Sequence, residues 1–169
     1  MRVFSAILIL CAATAAGCAS APDVRVDKSP TANLTEYKTF GFYDHSSTDR
    51  AQYSSIMTAR LQQATRAQLE RLGYTYDASN PELRVNFQLN VMQRQEIRSS
   101  SGMFYRPRLN DIETVSYKEG TLGIDLVDAR TNSVVWQGVA EGRVSRDASR
   151  NPGPAVDQVV AEIFQRFRS

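Results

Sequence analysis

The chain has 169 residues, of which 42% are hydrophobic and 22% charged, and its formal net charge is +2. This length and composition fit one globular domain with a hydrophobic core, so no second domain is needed. The near balance of acidic and basic residues argues against a nucleic-acid-binding protein driven by bulk charge.

The N-terminal residues predict export and lipid attachment. An almost uncharged apolar run from Val3 to Ala16 follows Arg2 and is too short to span a bilayer, so residues 1–17 are predicted to be a signal peptide. Cys18 comes directly after three small residues, Ala15, Ala16 and Gly17. This arrangement resembles the lipobox of bacterial lipoproteins, in which the thiol takes a diacylglycerol, cleavage occurs before the cysteine and the new amine is usually acylated. The alternative is a simple secretory signal that a cysteine happens to follow.

The resemblance to a lipobox implies where the protein resides. A single acyl chain holds a protein to a membrane only marginally, whereas several chains make the anchor effectively permanent. Ala19, in place of Asp, resembles lipoproteins that are sorted to the outer membrane, so we expect the periplasmic side of that membrane. Cys11 would leave with the signal peptide and Cys18 would become a thioether. We therefore expect no disulfide, no thiolate nucleophile and no cysteine-bound metal.

The segment after the cysteine predicts a link between membrane and domain. Residues 18–33 are small and polar and contain two prolines, which is typical of a lipidated N-terminus and tether. Within the tether, Val24 and Val26 could add a short strand. A single domain is expected from residue 34 to residue 169.

A strand and a long helix open this domain. The aromatic, β-prone run 34–43 predicts the strand. The helix is predicted from about residue 51 to residue 72, and Gly73 is suited to its C-terminal cap. Three residues are candidates for its N-terminal cap: Ser47, Thr48 and Asp49. The expected apolar stripe comprises Tyr53, Met57, Leu61, Ala64 and Leu72, flanked by Ile56 and Ala67.

A polar loop is predicted after the next strand. The run 83–91 alternates apolar and polar residues, which indicates a half-buried strand after a short segment at 74–76. Residues 93–110 are too polar and too long for a tight hairpin. Their basic and aromatic residues can grip phosphate, stack on a flat ligand or lie against anionic headgroups, although a solvated crossover is the simpler interpretation. The candidate contact residues are Arg94, Arg98, Tyr105, Arg106 and Arg108.

The stretch 117–144 predicts a β-hairpin. Apolar residues alternate on both sides of the break 128–133, in which Asp128 can bond its own turn and Asn132 tolerates positive φ. Small residues beside Trp136, among them Gly138, indicate that a helix lies close over that strand. A helix is also predicted after Pro154, with apolar residues at helical spacing: Val156, Val159, Val160, Ile163, Phe164 and Phe167.

These elements predict an α+β fold. It is expected to be a two-layer sandwich, in which a mostly antiparallel sheet has two helices packed on one face. The other face is expected to be open and largely polar.

Several segments carry a resemblance that covers nearly all of the mature chain: Tyr37-Lys38-Thr39-Phe40, Gly73-Tyr74, Leu83-Arg84-Val85, Tyr117-Lys118-Glu119-Gly120-Thr121-Leu122, and Asp125, Asp128 and Trp136. Together they resemble the bacterial envelope lipoproteins of domain of unknown function 4136. Phe42 stands where that family often has Trp, and Glu82 where it often has Asp. The resemblance implies location and shape and transfers no catalytic residue.

The chain offers little that indicates catalysis. Its single histidine, His45, lies in a stretch suited to helix capping, and no spacing of ligands indicates a metal site. Asp125 and Asp128 lie near other carboxylates but are better explained structurally. We therefore expect no enzyme, no metal and no cofactor.

Two classes of function fit these observations. The first is a non-enzymatic binding or structural module that is anchored through Cys18 and contacts the membrane and another envelope component. The second is a small-ligand or glycan-binding protein, or a weak enzyme, with a pocket beside residues 93–110. An aromatic-lined pocket that holds Tyr105, Tyr117 or Arg108 would favour the second class.

Overall fold

The structure is a computed structural model that describes residues 21–43, 48, 55–99 and 112–168. These residues form six strands and three helices, in the order β1 (Asp23–Lys28), β2 (Thr39–Phe42), α1 (Ile56–Arg71), β3 (Thr75–Tyr76), β4 (Leu83–Ser99), β5 (Ile112–Asp128), β6 (Ser133–Val144), α2 (Arg146–Arg150) and α3 (Pro152–Gln165).

The strands form one sheet in the order β1-β6-β5-β4-β2-β3. The pairs β1–β6, β6–β5 and β5–β4 are antiparallel, whereas β2 runs parallel to both β4 and β3. Residues from α1, α3 and the sheet share one buried apolar cluster. The predicted α+β class with a mostly antiparallel sheet is therefore confirmed. The short helix α2, capped by Ser145, was not predicted and buries no residue.

The core is centred on the contact between β6 and α3. Trp136 is fully buried. The centre of its ring lies 5.4 Å from the centre of the Phe164 ring and 5.1 Å from the centre of the Phe167 ring. A Cβ atom added to Gly138 would overlap the Cγ2 of Ile163 and lie 2.5 Å from the Cη2 of Trp136. The expectation that a helix lies close over this strand is confirmed.

The predicted hairpin is present as β5 and β6. Its turn follows the predicted chemistry, because Asp128 Oδ1 accepts hydrogen bonds from the N–H groups of Arg130 at 2.7 Å and Thr131 at 2.9 Å. Asn132 has φ 53°. The register shifts between Leu126 and Val127, a bulge that the sequence did not indicate.

The long helix starts later than predicted. Ser55 has extended backbone and its side chain accepts the N–H of Thr58 at 3.0 Å, so Ser55 is the N-terminal cap. Gly73 follows the helix with φ +97°, as predicted. The expected stripe is partly wrong, because Ile56 is 79% exposed whereas Thr58 and Leu69 are buried. Tyr53, Ser47 and Asp49 lie outside the described residues.

The predicted loop at 93–110 is wrong at its start. Strand β4 continues to Ser99, which pairs with Ile112 of β5. The ladder of backbone hydrogen bonds does not require apolar side chains, and both faces are exposed here, so the alternation that marks a half-buried strand is absent. Residues 100–111 lie outside the described residues.

Strand β1 lies within the segment assigned to the tether, where Val24 and Val26 allowed a short strand. It pairs with β6 along all six of its residues, from Asp23 opposite Glu141 to Lys28 opposite Trp136. Val24 is only 3% exposed. The sheet therefore includes residues that follow the predicted lipid attachment site closely in the sequence.

The contact at Gly138 yields a stability prediction. In Gly138→Ala the added Cβ would force β6 and α3 apart, and we expect the free energy of unfolding to fall by about 1–3 kcal/mol. Gly123→Ala is the matched control, because its Cβ would lie 3.5 Å from the nearest atom, in ordinary contact. Urea denaturation of both variants measures the difference, and equal effects would contradict the close packing.

Candidate functional site

The residue pairs between neighbouring strands identify the two ends of the sheet. Asp23 pairs with Glu141, Glu141 with Thr121, and Thr121 with Asn90. This row marks the N-terminal end of the sheet, where β1 begins. The turn of residues 128–133 lies at the other end, which is termed the turn end. Cys18 precedes Asp23 by five residues, a span of at most about 18 Å.

A two-stranded ribbon extends beyond the N-terminal end. It consists of residues 94–99 of β4 paired with residues 112–117 of β5, past the last pair of β5 with β6, which joins Lys118 to Val144. Six residue pairs correspond to a length of about 20 Å. The ribbon and the chain that leads to Cys18 therefore lie at the same end of the sheet.

The side chains of the ribbon form ion pairs across strands. Arg94 Nε lies 2.7 Å from Glu119 Oε2, and Arg143 Nη2 lies 2.8 Å from Glu96 Oε2. The guanidinium of Arg143 also lies 4.1 Å from the centre of the Tyr117 ring. The hydrogen bond to Glu119 is the main reason that the pKa of Arg94 is raised. Because these pairs are exposed, each contributes little to stability.

Of the predicted contact residues, only Arg94 has a side chain among the described residues. Arg94 lies on β4 and is paired with Glu119, 25 positions later in the chain. The charges within residues 93–110 alone could not predict this pair. Arg98 also lies on β4, and its side chain is outside the described residues, as are Tyr105, Arg106 and Arg108. Cys18, with Ala15, Ala16 and Gly17, is outside them too.

A groove of about 450 Å³ lies between the helices and the sheet at the N-terminal end. Its lining is mainly apolar, with the following residues among those described: Met57 and Leu61 of α1, Leu89 and Val91 of β4, and Val156 and Val159 of α3. No aromatic residue lines it in the described part of the chain. Tyr117 alternates with the lining residue Lys118 and so faces the opposite side of the sheet. This groove is therefore not the aromatic pocket that would favour glycan binding.

A second pocket, of about 490 Å³, lies at the turn end. Three basic and three aromatic residues contribute to its lining: Lys28, Lys38, Arg168, Tyr37, Tyr74 and Phe167. The Tyr74 hydroxyl donates to the carbonyl of Leu34 at 2.8 Å, and burial raises its pKa. Basic and aromatic groups thus meet here, far along the chain from the segment in which the sequence suggested them.

A buried carboxylate lies in the middle of the face opposite the helices. Asp125 is 3% exposed and accepts hydrogen bonds from the side-chain amides of Gln137 at 2.7 Å, Gln88 at 3.0 Å and Asn86 at 3.3 Å. These residues come from three adjacent strands, so the carboxylate links β4, β5 and β6. Both its oxygens accept from amides, so the hydrogen bonds that a buried carboxylate requires are made within the sheet.

Asp128, at the turn end, is also buried and hydrogen-bonded. Its pKa is lowered chiefly by the hydrogen bond from the N–H of Thr131, with further lowering by the Tyr37 hydroxyl at 2.9 Å and the N–H of Arg130, while burial acts in the opposite direction. The pKa of Tyr37 is raised, first by desolvation and then by this carboxylate. Asp128 therefore joins the hairpin turn to the segment before β2.

The described residues contain no group of three or more His, Cys, Asp or Glu side chains that could hold a metal ion. His45 is outside them. Among the helices that the structure describes, none has the length and apolar character needed to cross a membrane.

The fold and the site define an α+β domain with an apolar groove and a projecting ribbon at the end where the chain enters. A family model described as "Domain of unknown function (DUF4136)" matches residues 24–167. The chain belongs to this family. A comparison with curated proteins found no match.

Two of the solved structures to which this chain is similar share its fold. A PDZ domain protein from Parabacteroides distasonis has a TM-score of 0.59 at 12% identity over 86% of this chain, which spans only 35% of that protein. A DUF4136 family protein from Bacteroides thetaiotaomicron has a TM-score of 0.53 at 14% identity, over 86% of this chain and 95% of that one. A minor lipoprotein from Acinetobacter baumannii has a TM-score of 0.41 at 9% identity, over 78% and 93%.

The pKa of Asp128 yields a prediction of pH dependence. Because the folded-state pKa lies below the usual value of about 3.9, Asp128 contributes stability that is complete above that value and is lost as pH falls through the lower folded pKa. In Asp128→Asn this contribution is absent, so we expect its free energy of unfolding to fall less than that of the native protein between pH 6 and acidic pH.

Urea denaturation at several pH values measures this difference. Tyr37→Phe is the control, because it keeps the backbone donors of Thr131 and Arg130 and should retain most of the dependence on pH. A decline in Asp128→Asn as steep as that of the native protein would show that Asp128 is not responsible.

Proposed function

We propose that this protein is a lipoprotein anchored through Cys18 on the periplasmic side of the outer membrane, where it is a non-enzymatic binding or structural module. The observation that carries the proposal is the sequence Ala15-Ala16-Gly17-Cys18 directly after an apolar run. The membrane would then be the first partner of the protein, through the lipid on Cys18.

The position of β1 supports an anchor that keeps the domain close to the bilayer. Because β1 begins at Asp23, the link from Cys18 spans at most about 18 Å. The ribbon extends from the same end of the sheet. A domain tethered in this way holds the ribbon beside the membrane surface, within reach of other components of the envelope.

The ribbon and the edge of β4 support a binding role. Among the described residues, β2 pairs with β4 only from Leu83 to Val85, so the remainder of β4 has no described partner on that side. An unpaired strand edge is a template for a strand of another protein. Ile97, which is 71% exposed, adds an apolar contact. We therefore propose another envelope protein as the partner of this edge.

The chemistry of the buried carboxylates supports a role without catalysis. Asp125 is held by three side-chain amides and Asp128 by a turn and a tyrosine. In the described part of the chain, neither belongs to a group of three or more His, Cys, Asp or Glu side chains that could hold a metal ion. A small-ligand or glycan-binding role would use the turn-end pocket, where Lys38, Arg168 and Tyr74 suit an anionic ligand.

The anchor is tested by replacing the modified cysteine. We expect Cys18→Ala to lose metabolic labelling with a fatty acid and to leave the membrane fraction. Cys11→Ala is the matched control, because Cys11 lies in the predicted signal peptide and its variant should stay labelled. Labelling that persists in Cys18→Ala would refute the lipoprotein proposal.

The binding role is tested by photocrosslinking in the native envelope. A photoreactive residue in place of Ile97 should capture a protein, whereas the same residue in place of Gln63, on the exposed side of α1, should not. Equal capture at both positions would contradict binding through the ribbon. If the photoreactive residue at position 97 captures nothing and glucuronate shifts the NMR signals of Tyr74, the ligand-binding role would replace the protein-binding role.

A further inference from the structure

The apolar groove exists because the sheet extends beyond the helices. The first turns of α1 and α3 line the groove at the N-terminal end through Met57 and Pro152, while β4 and β5 continue past the last pair with β6 into the ribbon. Leu89 and Val91, on the helical face of β4, consequently remain 38% and 51% exposed. A mainly apolar surface of this kind gains free energy when another apolar group covers it.

The N-terminal segment of the chain passes directly along this groove. Ala21 and Pro22 are among its lining residues, and a Cβ on Gly142 would lie 3.2 Å from the Cα of Pro22. Cys18 is four residues before Pro22, so the Cα atoms of the two residues lie at most about 14 Å apart. A group attached to Cys18 therefore has the groove within reach.

The chemistry of the groove fits an acyl chain. Its walls are mostly aliphatic, from Met57, Leu61, Leu122 and Val156, and its volume of about 450 Å³ is within the range of small-molecule pockets. Each methylene group that moves from water to an apolar surface contributes favourable free energy. An acyl chain would cover the groove along its length without the need for polar contacts.

We propose that the groove holds one acyl chain of the lipid on Cys18, an inference that rests on the proposed lipid modification. Two acyl chains in the bilayer suffice for stable attachment, so a third chain can leave the bilayer without release of the protein. The seated chain would fix the orientation of the domain, with the N-terminal end of the sheet towards the membrane. The site is thus a receptor for the protein's own anchor.

The experiment labels the lipidated full-length protein in cells with a photoreactive fatty acid. After irradiation, we expect crosslinks within the same molecule between the acyl chain and the segments around Val91 and Val159. Val91→Glu places a carboxylate in the groove without a change in the helices, and should lower this crosslinking about tenfold or more, which corresponds to about 1.4 kcal/mol.

Val91→Glu has a matched control on the same strand. Gln95→Glu introduces the same charge on the same strand and the same face, but in the ribbon, and should leave the crosslinks unchanged. A second test variant, Val159→Trp, fills the groove from α3 and should also lower the crosslinking between the acyl chain and the groove. Its matched control is Val134→Trp, at an exposed valine of the turn end. Circular dichroism of each variant verifies the fold.

The outcomes separate this inference from the lipoprotein proposal. Label on Cys18 with crosslinks only to bilayer lipid or to other surfaces would overturn the groove assignment and leave the anchor intact. No label on Cys18 would overturn both. In a second arm, unlabelled lipidated protein is placed in phosphatidylethanolamine and phosphatidylglycerol vesicles that carry a photoreactive phospholipid. Strong groove crosslinking there would assign the groove to bilayer lipid and overturn the proposal.

Discussion

The contact between Trp136 and the C-terminal residues of the chain is the interaction on which the rest of the fold depends. The indole is fully buried between the sheet and the rings of Phe164 and Phe167, and Gly138 permits this approach. The guanidinium of Arg166, just after α3, also donates to the carbonyl of Val24 on β1. One helix thus holds both the central hairpin and the edge strand, so a change at Gly138 reaches the N-terminal segment as well.

The position of this contact makes the two ends of the sheet unequal. At the turn end, the chain crosses from β1 to β2 through residues 29–38, and the crossing is held by the hydrogen bond from Tyr37 to Asp128. At the N-terminal end the chain passes from β6 to α3 through the short helix α2, which buries no residue. The groove, the ribbon and the entry of the chain therefore lie at the end opposite the Trp136 contact.

The features that the sequence could predict are those that local chemistry determines. Asn132 and Gly73 adopt positive φ because the turn and the helix end require it, and Gly138 marks a close approach that only a residue without a side chain permits. Several Ser, Thr and Asp residues precede α1 and can all act as caps, so the sequence does not single out Ser55, whose side chain accepts the N–H of Thr58. The ribbon was missed because exposure on both faces removes the hydrophobic alternation. The groove depends on where separate elements end relative to one another, which no local pattern encodes.

The pairing of β1 with β6 has a consequence for the order of folding. Asp23 and Glu141 are roughly 120 residues apart, so the first strand to be synthesised waits for one of the last before it gains a partner. Closing so long a loop costs entropy that only a nearly complete sheet can offset. The strand beside Cys18 is therefore a late addition to the sheet. In the proposed lipid-anchored form, the same six residues would both complete the native sheet and set the distance between the domain and the bilayer.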